Sequence, residues 1–214
     1  MTERNIFDEL QEDFERQRLE NLWKKYAPAV IAAALAIVIA TAGMSAWRTW
    51  KTDRDQKLTN AYIDAAQEDQ DAAKSVDLLQ KFAAAHPGTD LGAFALLRAG
   101  AQQAEQGDAA KAAASFDAVA NDAKADPAFR QLGTLLSVRA QMDTGDAAAL
   151  SARLDPLTAD GAPWRYSALE AQAYLALRAG DTAKAKKIFT DLSQDARVPQ
   201  DIAARAGDIV RSFH

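Results

Sequence analysis

Apolar positions return three times in the second half of the chain at fixed distances from a glycine. Counting from Gly107, Gly145 and Gly180, the fifth residue is Ala112, Leu150 or Ala185. The ninth is Phe116, Leu154 or Phe189, and the twelfth is Val119, Leu157 or Leu192. Steps of four and three residues place side chains on one face of an α-helix. Each glycine is followed by an Asp (Asp108, Asp146, Asp181). That dipeptide suits a turn between helices, because glycine accepts the left-handed conformation that ends one helix and Asp caps the next. Ahead of the glycines run three further helical patterns: Phe94, Leu97, Ala101, Ala104; Phe129, Leu132, Leu136, Ala140; and Tyr166, Leu169, Ala173, Leu177. Pro127, Pro163 and Pro199 fall just after the second helices, where the chain stops and turns. The pattern predicts helix–turn–helix units spaced by 38 and then 35 residues.

Val76, Leu79 and Phe82 share one face of a shorter helix that ends before His86-Pro87-Gly88. Leu58, Ala61, Tyr62 and Ala65 supply the other half of this degenerate first unit. One continuous helix is expected from about Pro28 to about Glu68. At roughly 1.5 Å per residue it would project some 30 Å beyond a bilayer. At the far end, Ile202, Ala206, Ile209 and Phe213 form an apolar stripe able to cover the last unit, with Arg205 and Arg211 expected to face solvent.

The run Tyr26 to Trp47 holds 22 residues without a charged side chain. As a helix it can cross a hydrocarbon core of roughly 30 Å. Trp23 and Tyr26 at one end, and Trp47 and Trp50 at the other, are the rings expected at membrane interfaces. The leader is long and acidic, unlike a cleavable signal peptide, although Ala40-Thr41-Ala42 has the look of a cleavage site. Arg16, Arg18, Lys24 and Lys25 precede the run and Arg48, Lys51, Arg54 and Lys57 follow it. This balance leaves the orientation open by charge alone. In the leader, Ile6, Phe7, Leu10 and Phe14 gather on one helical face opposite acidic residues. Such a face suits a protein partner better than anionic lipid.

Composition narrows the chemistry. With 214 residues, a net charge of -5 and a pI near 5.1, the chain lacks the basic balance of a nucleic-acid binder. Cysteine is absent, which excludes disulfides, thiolate metal sites and a Cys nucleophile. His86 and His214 fall in a turn and at the last position, and no nucleophile elbow, phosphate loop or metal-ligand spacing appears. No catalytic, metal or cofactor site is predicted. Abundant alanine favours helix throughout.

A period in the thirties with paired helices marks a tetratricopeptide-like α-solenoid. The prediction is therefore an all-α chain: a leader over 1–25, a transmembrane helix over 26–47, and paired antiparallel helices with a C-terminal capping helix over 48–214. First helices of such pairs line a concave surface that holds peptides or partner helices. Arg98, Gln102, Arg139, Gln141, Gln172 and Arg178 are the polar residues expected there.

Lys81-Phe82-Ala83-Ala84, then Gly92-Ala93-Phe94-Ala95-Leu96-Leu97-Arg98-Ala99, is similar to the first complete repeat of the YfgM-like ancillary subunits of the bacterial Sec translocon. Ala46-Trp47-Arg48-Thr49-Trp50 resembles that family's exit from the membrane, and the likeness runs from about Phe14 onward. The chain departs from the tetratricopeptide consensus where Gln103, Gln141 and Ala176 replace the usual tyrosine. The resemblance implies a single-pass inner-membrane protein with its N-terminus in the cytosol and its repeats in the periplasm. Its implied partners are the SecYEG channel and periplasmic chaperones or client polypeptides. The same architecture would serve an envelope or respiratory-complex assembly factor, or a division coordinator; a membrane-tethered or secreted enzyme is the rival of another class.

Overall fold

The computed structural model describes residues 39–66 and 72–213. The chain divides into two compact units, Met1–Lys57 and Leu58–His214. Residues 39–66 are helical throughout (α1). There follow α2 (Ala72–Ala85), α3 (Asp90–Glu105), α4 (Ala109–Ala120), α5 (Pro127–Ala140) and α6 (Ala147–Leu154). After a short 3-10 turn over Asp155–Thr158 come α7 (Arg165–Arg178), α8 (Thr182–Gln194) and α9 (Gln200–Ser212). Among the described residues there is no strand.

The described residues contain no helix long and apolar enough to cross a membrane. Of the predicted span, only 39–47 fall among them, and these are helical and exposed. Ile6, Phe7, Leu10, Phe14, Trp23 and Tyr26 lie outside the described residues, as does the expected helical stretch over 28–38.

From α2 onward, each helix packs against the next, and the short connections make neighbours antiparallel. Beyond these, α3 touches α5, α5 touches α7, and α7 touches α9. The Tyr62 ring of α1 meets Phe94 of α3 at 5.8 Å between centroids. The odd-numbered helices thus form one continuous layer, and the even-numbered helices form the other. Two layers of paired helices in this order are an α-solenoid.

All nine residues at the fifth, ninth and twelfth positions after the glycines are buried, from Ala112, Phe116 and Val119 to Ala185, Phe189 and Leu192. The three Asp caps are also made: Asp108, Asp146 and Asp181 accept the backbone N–H of Lys111, Ala149 and Lys184 at 3.1, 2.8 and 3.0 Å. Gly107 and Gly180 adopt positive φ, 80° and 81°. Gly145 does not. There α5 ends at Ala140, and the three extra residues of the 38-residue spacing are taken up by the turn that follows, where Gly145 N–H bonds the Gln141 carbonyl at 2.8 Å.

The first-helix pattern needs a second correction. Phe94, Ala101 and Ala104 are exposed, while Gly92, Ala93, Ala95, Leu97, Ala99 and Gly100 are buried. A helix lying between two neighbours buries two faces, so small residues carry the close contacts and a single stripe of large ones misleads. At α5, a Cβ on Gly133 would lie 2.7 Å from the Phe116 carbonyl oxygen and 2.9 Å from the Ala120 nitrogen. The α4 and α5 backbones meet there. At the far end Ile202 and Ala206 are buried against Phe189 and Leu192, as the final stripe predicted.

Candidate functional site

Five of the six residues expected on a partner-binding surface lie on odd-numbered helices, and Gln141 caps the end of α5. Gln102 of α3 pairs with the Ser75 hydroxyl of α2 at 3.2 Å. Gln141 closes the end of α5 by donating to the Ser137 carbonyl and hydroxyl at 3.1 and 3.0 Å. Gln172 is buried in α7, donating to the Ser151 carbonyl at 3.1 Å and to Asp155 at 2.7 Å. Arg178 donates to the carbonyl oxygens of Met142 and Gly145, fastening the end of α7 to the α5–α6 turn. Arg139 reaches Glu170, and Arg98 is half-buried in α3. Intramolecular bonds thus preset Gln102, Arg139, Gln141 and Arg178, which lowers the entropy lost when a partner binds beside them. The buried Gln172, by contrast, does not lie on the partner-facing surface expected of it.

Glu170 is the centre of this layer, and sequence reading missed it. Its side chain on α7 is only 3 % exposed. Arg205 of α9 grips both carboxylate oxygens, Nε to Oε1 at 2.8 Å and Nη2 to Oε2 at 3.1 Å. Arg139 of α5 adds a donor to Oε2 at 3.3 Å. Arg205 was expected to face solvent. It is exposed as expected, and its guanidinium also reaches the Glu170 carboxylate, because a buried carboxylate needs charged donors. Hydrogen bonding to Glu170, then to Asp201, holds the Arg205 pKa above its ordinary value. Burial, and then the Glu170 carboxylate, push the Tyr174 phenol upward, while the Tyr174 ring stands edge-on to Phe189 at 5.2 Å.

A signal for this cluster did exist in the sequence. Glu170 and Arg205 are 35 residues apart, which is one repeat. Other polar bonds between units keep nearly the same separation: Gln80 to Ser115 at 35, Arg153 to Asp117 at 36, Gly88 N–H to Asp122 at 34, and Trp164 Nε1 to the Ala128 carbonyl at 36. The repeat's register is therefore locked by side chains as well as by apolar packing. Gln103, where tyrosine is usual, is buried and accepts the Ser115 hydroxyl at 2.7 Å.

Phe94 is the large apolar side chain that α3, α5, α7 and α9 leave most open. It is 47 % exposed and rests on Tyr62, whose ring also meets Phe82 edge-on at 5.6 Å. Among the described residues no group of three or more His, Asp or Glu is placed to hold a metal ion.

The chain belongs to the tetratricopeptide repeat-like domain family, whose sequence profile matches residues 20–203. No curated protein and no solved structure matches it. Domains of this family are typically protein-interaction modules without catalysis, and the all-α layered architecture is the scaffold they use.

Proposed function

We propose that this chain is a membrane-anchored scaffold, an ancillary subunit of the Sec translocon that links the SecYEG channel to periplasmic chaperones or client polypeptides. The observation that carries the reading is the continuous odd-helix layer, with its preset Arg and Gln side chains and the open Phe94. Arginine and exposed aromatic rings are the side chains enriched where proteins meet.

Anchoring is supported by the uncharged run Tyr26–Trp47, which the family match takes in. The periplasmic placement of the repeats and the Sec partners rest on the resemblance to YfgM-like subunits. In this reading the leader face of Ile6, Phe7, Leu10 and Phe14 meets a cytosolic partner or a neighbouring subunit.

Affinity purification of the full chain in mild detergent tests the proposal. Recovery of SecYEG subunits is required by it, and their absence, with another membrane complex recovered instead, overturns it. A reporter active only in the periplasm, fused after His214, should be active. Substituting Phe7 and Phe14 by Ser should lower cross-linking through the leader.

A further inference from the structure

The segment 48–57 holds four basic and two acidic residues immediately beyond the uncharged run. Arg48, Lys51 and Arg54 follow one another at steps of three, so they lie along one flank of α1. Trp47 and Trp50 are 63 % and 54 % exposed, and their ring centroids stand 5.5 Å apart. The Arg54 guanidinium lies over the Trp50 ring at 5.7 Å.

That stacking decides where the charge sits. Helical side chains lean toward the N-terminus, so Arg54 reaches back by about one turn to its ring. With Trp47 at the hydrocarbon boundary, the Arg54 backbone stands about 10 Å outside it. The headgroup layer is only about 5–7 Å deep on each side. Folded back over Trp50, the guanidinium returns to headgroup depth. Lys51, about 6 Å beyond Trp47, lies at that depth already. Tryptophan and basic side chains prefer this boundary, and cations there attract anionic lipid. Asp53 and Asp55 reduce the charge without cancelling it.

We propose that Arg48, Lys51 and Arg54, the last held in place by Trp50, form a collar that binds the phosphate headgroups of anionic phospholipids where the helix leaves the bilayer. This rests on the anchor reading of residues 26–47. It adds a lipid class and the residues that recognise it.

The test is native mass spectrometry of the full-length protein in mild detergent, offered equal amounts of phosphatidylglycerol and phosphatidylcholine. The wild-type protein should retain phosphatidylglycerol preferentially. Each basic group near a membrane surface is worth roughly a five-fold preference, so the Lys51→Gln/Arg54→Gln double variant should lose most of it. Trp50→Leu should lower the ratio although every charge remains. The Lys184→Gln/Lys187→Gln variant removes the same charge from the repeat domain and should leave the ratio unchanged. Equal retention of the two lipids by the wild type, an undiminished ratio in the collar or Trp50 variants, or an equal loss in the repeat-domain control overturns the proposal. Alkaline carbonate treatment of membranes separates the two readings. A chain that stays in the membrane without lipid preference removes the collar alone, and a chain that washes off removes the anchor as well.

Discussion

Arg205 and Glu170 stand one repeat apart and meet through two parallel hydrogen bonds, 2.8 and 3.1 Å long. The Glu170 side chain is buried and the Arg205 side chain is about half exposed. Loss of the arginine therefore strands a charge, whereas loss of the acid leaves cations that water can still reach. Arg205→Ala should destabilise the domain by about 2 kcal/mol, measured as a lower urea midpoint. Arg139→Ala, which removes one longer bond to the same acid, should cost less. A larger effect at Arg139 than at Arg205 would contradict this account of the cluster.

Glycine is used for two different reasons in this fold, and substitution separates them. Gly107 needs its positive φ, but a Cβ there would meet open space. Gly107→Ala should cost about 1 kcal/mol, the left-handed backbone penalty partly offset by a stiffer unfolded chain. At Gly133 a Cβ would strike backbone atoms of α4. The two helices would have to separate, so Gly133→Ala should cost about 2 kcal/mol or more. Thermal unfolding of the two variants should give the lower Tm for Gly133→Ala.

Acid should weaken the fold through its paired carboxylates. The Arg197 side chain and backbone N–H hold Asp195 down to about 2. Lys111 lowers Asp108, and Arg205 lowers Asp201. An unpaired Asp titrates near about 3.9. A carboxyl lowered in the folded state adds stability above the unfolded value and loses it as pH falls through the folded value. Urea midpoints should thus decline between about pH 4 and pH 2. The slope should be shallower in Asp195→Asn, and an identical slope in that variant would remove Asp195 from the explanation.

Much of the architecture was legible in the sequence because helical turns leave local marks. Gly107-Asp108 and Gly180-Asp181 are both a stop and a start, and Phe116 and Phe189 follow them at the same distance into the same kind of core. Gly145 shares the dipeptide without the conformation, because α5 had already ended and a longer turn did the work. Phe94 was read as part of a packed stripe. The helix in fact packs through Ala95, Ala99 and Gly100, whose small size gives no periodic signal. The Glu170 cluster escaped for another reason. Its partners come from α5 and α9, and only the match between their spacing and the repeat period links them.

The central claim is that the odd-helix layer holds protein partners beyond the membrane, and a photo-cross-linking side chain at position 94 in living cells tests it most directly. The same probe at position 187, on exposed Lys187 of α8, is the control. The account predicts adducts from position 94 to a SecYEG subunit or a periplasmic chaperone, and few or none from position 187. Adducts from position 94 to cytosolic proteins alone, or equal yields from the two positions, would contradict it.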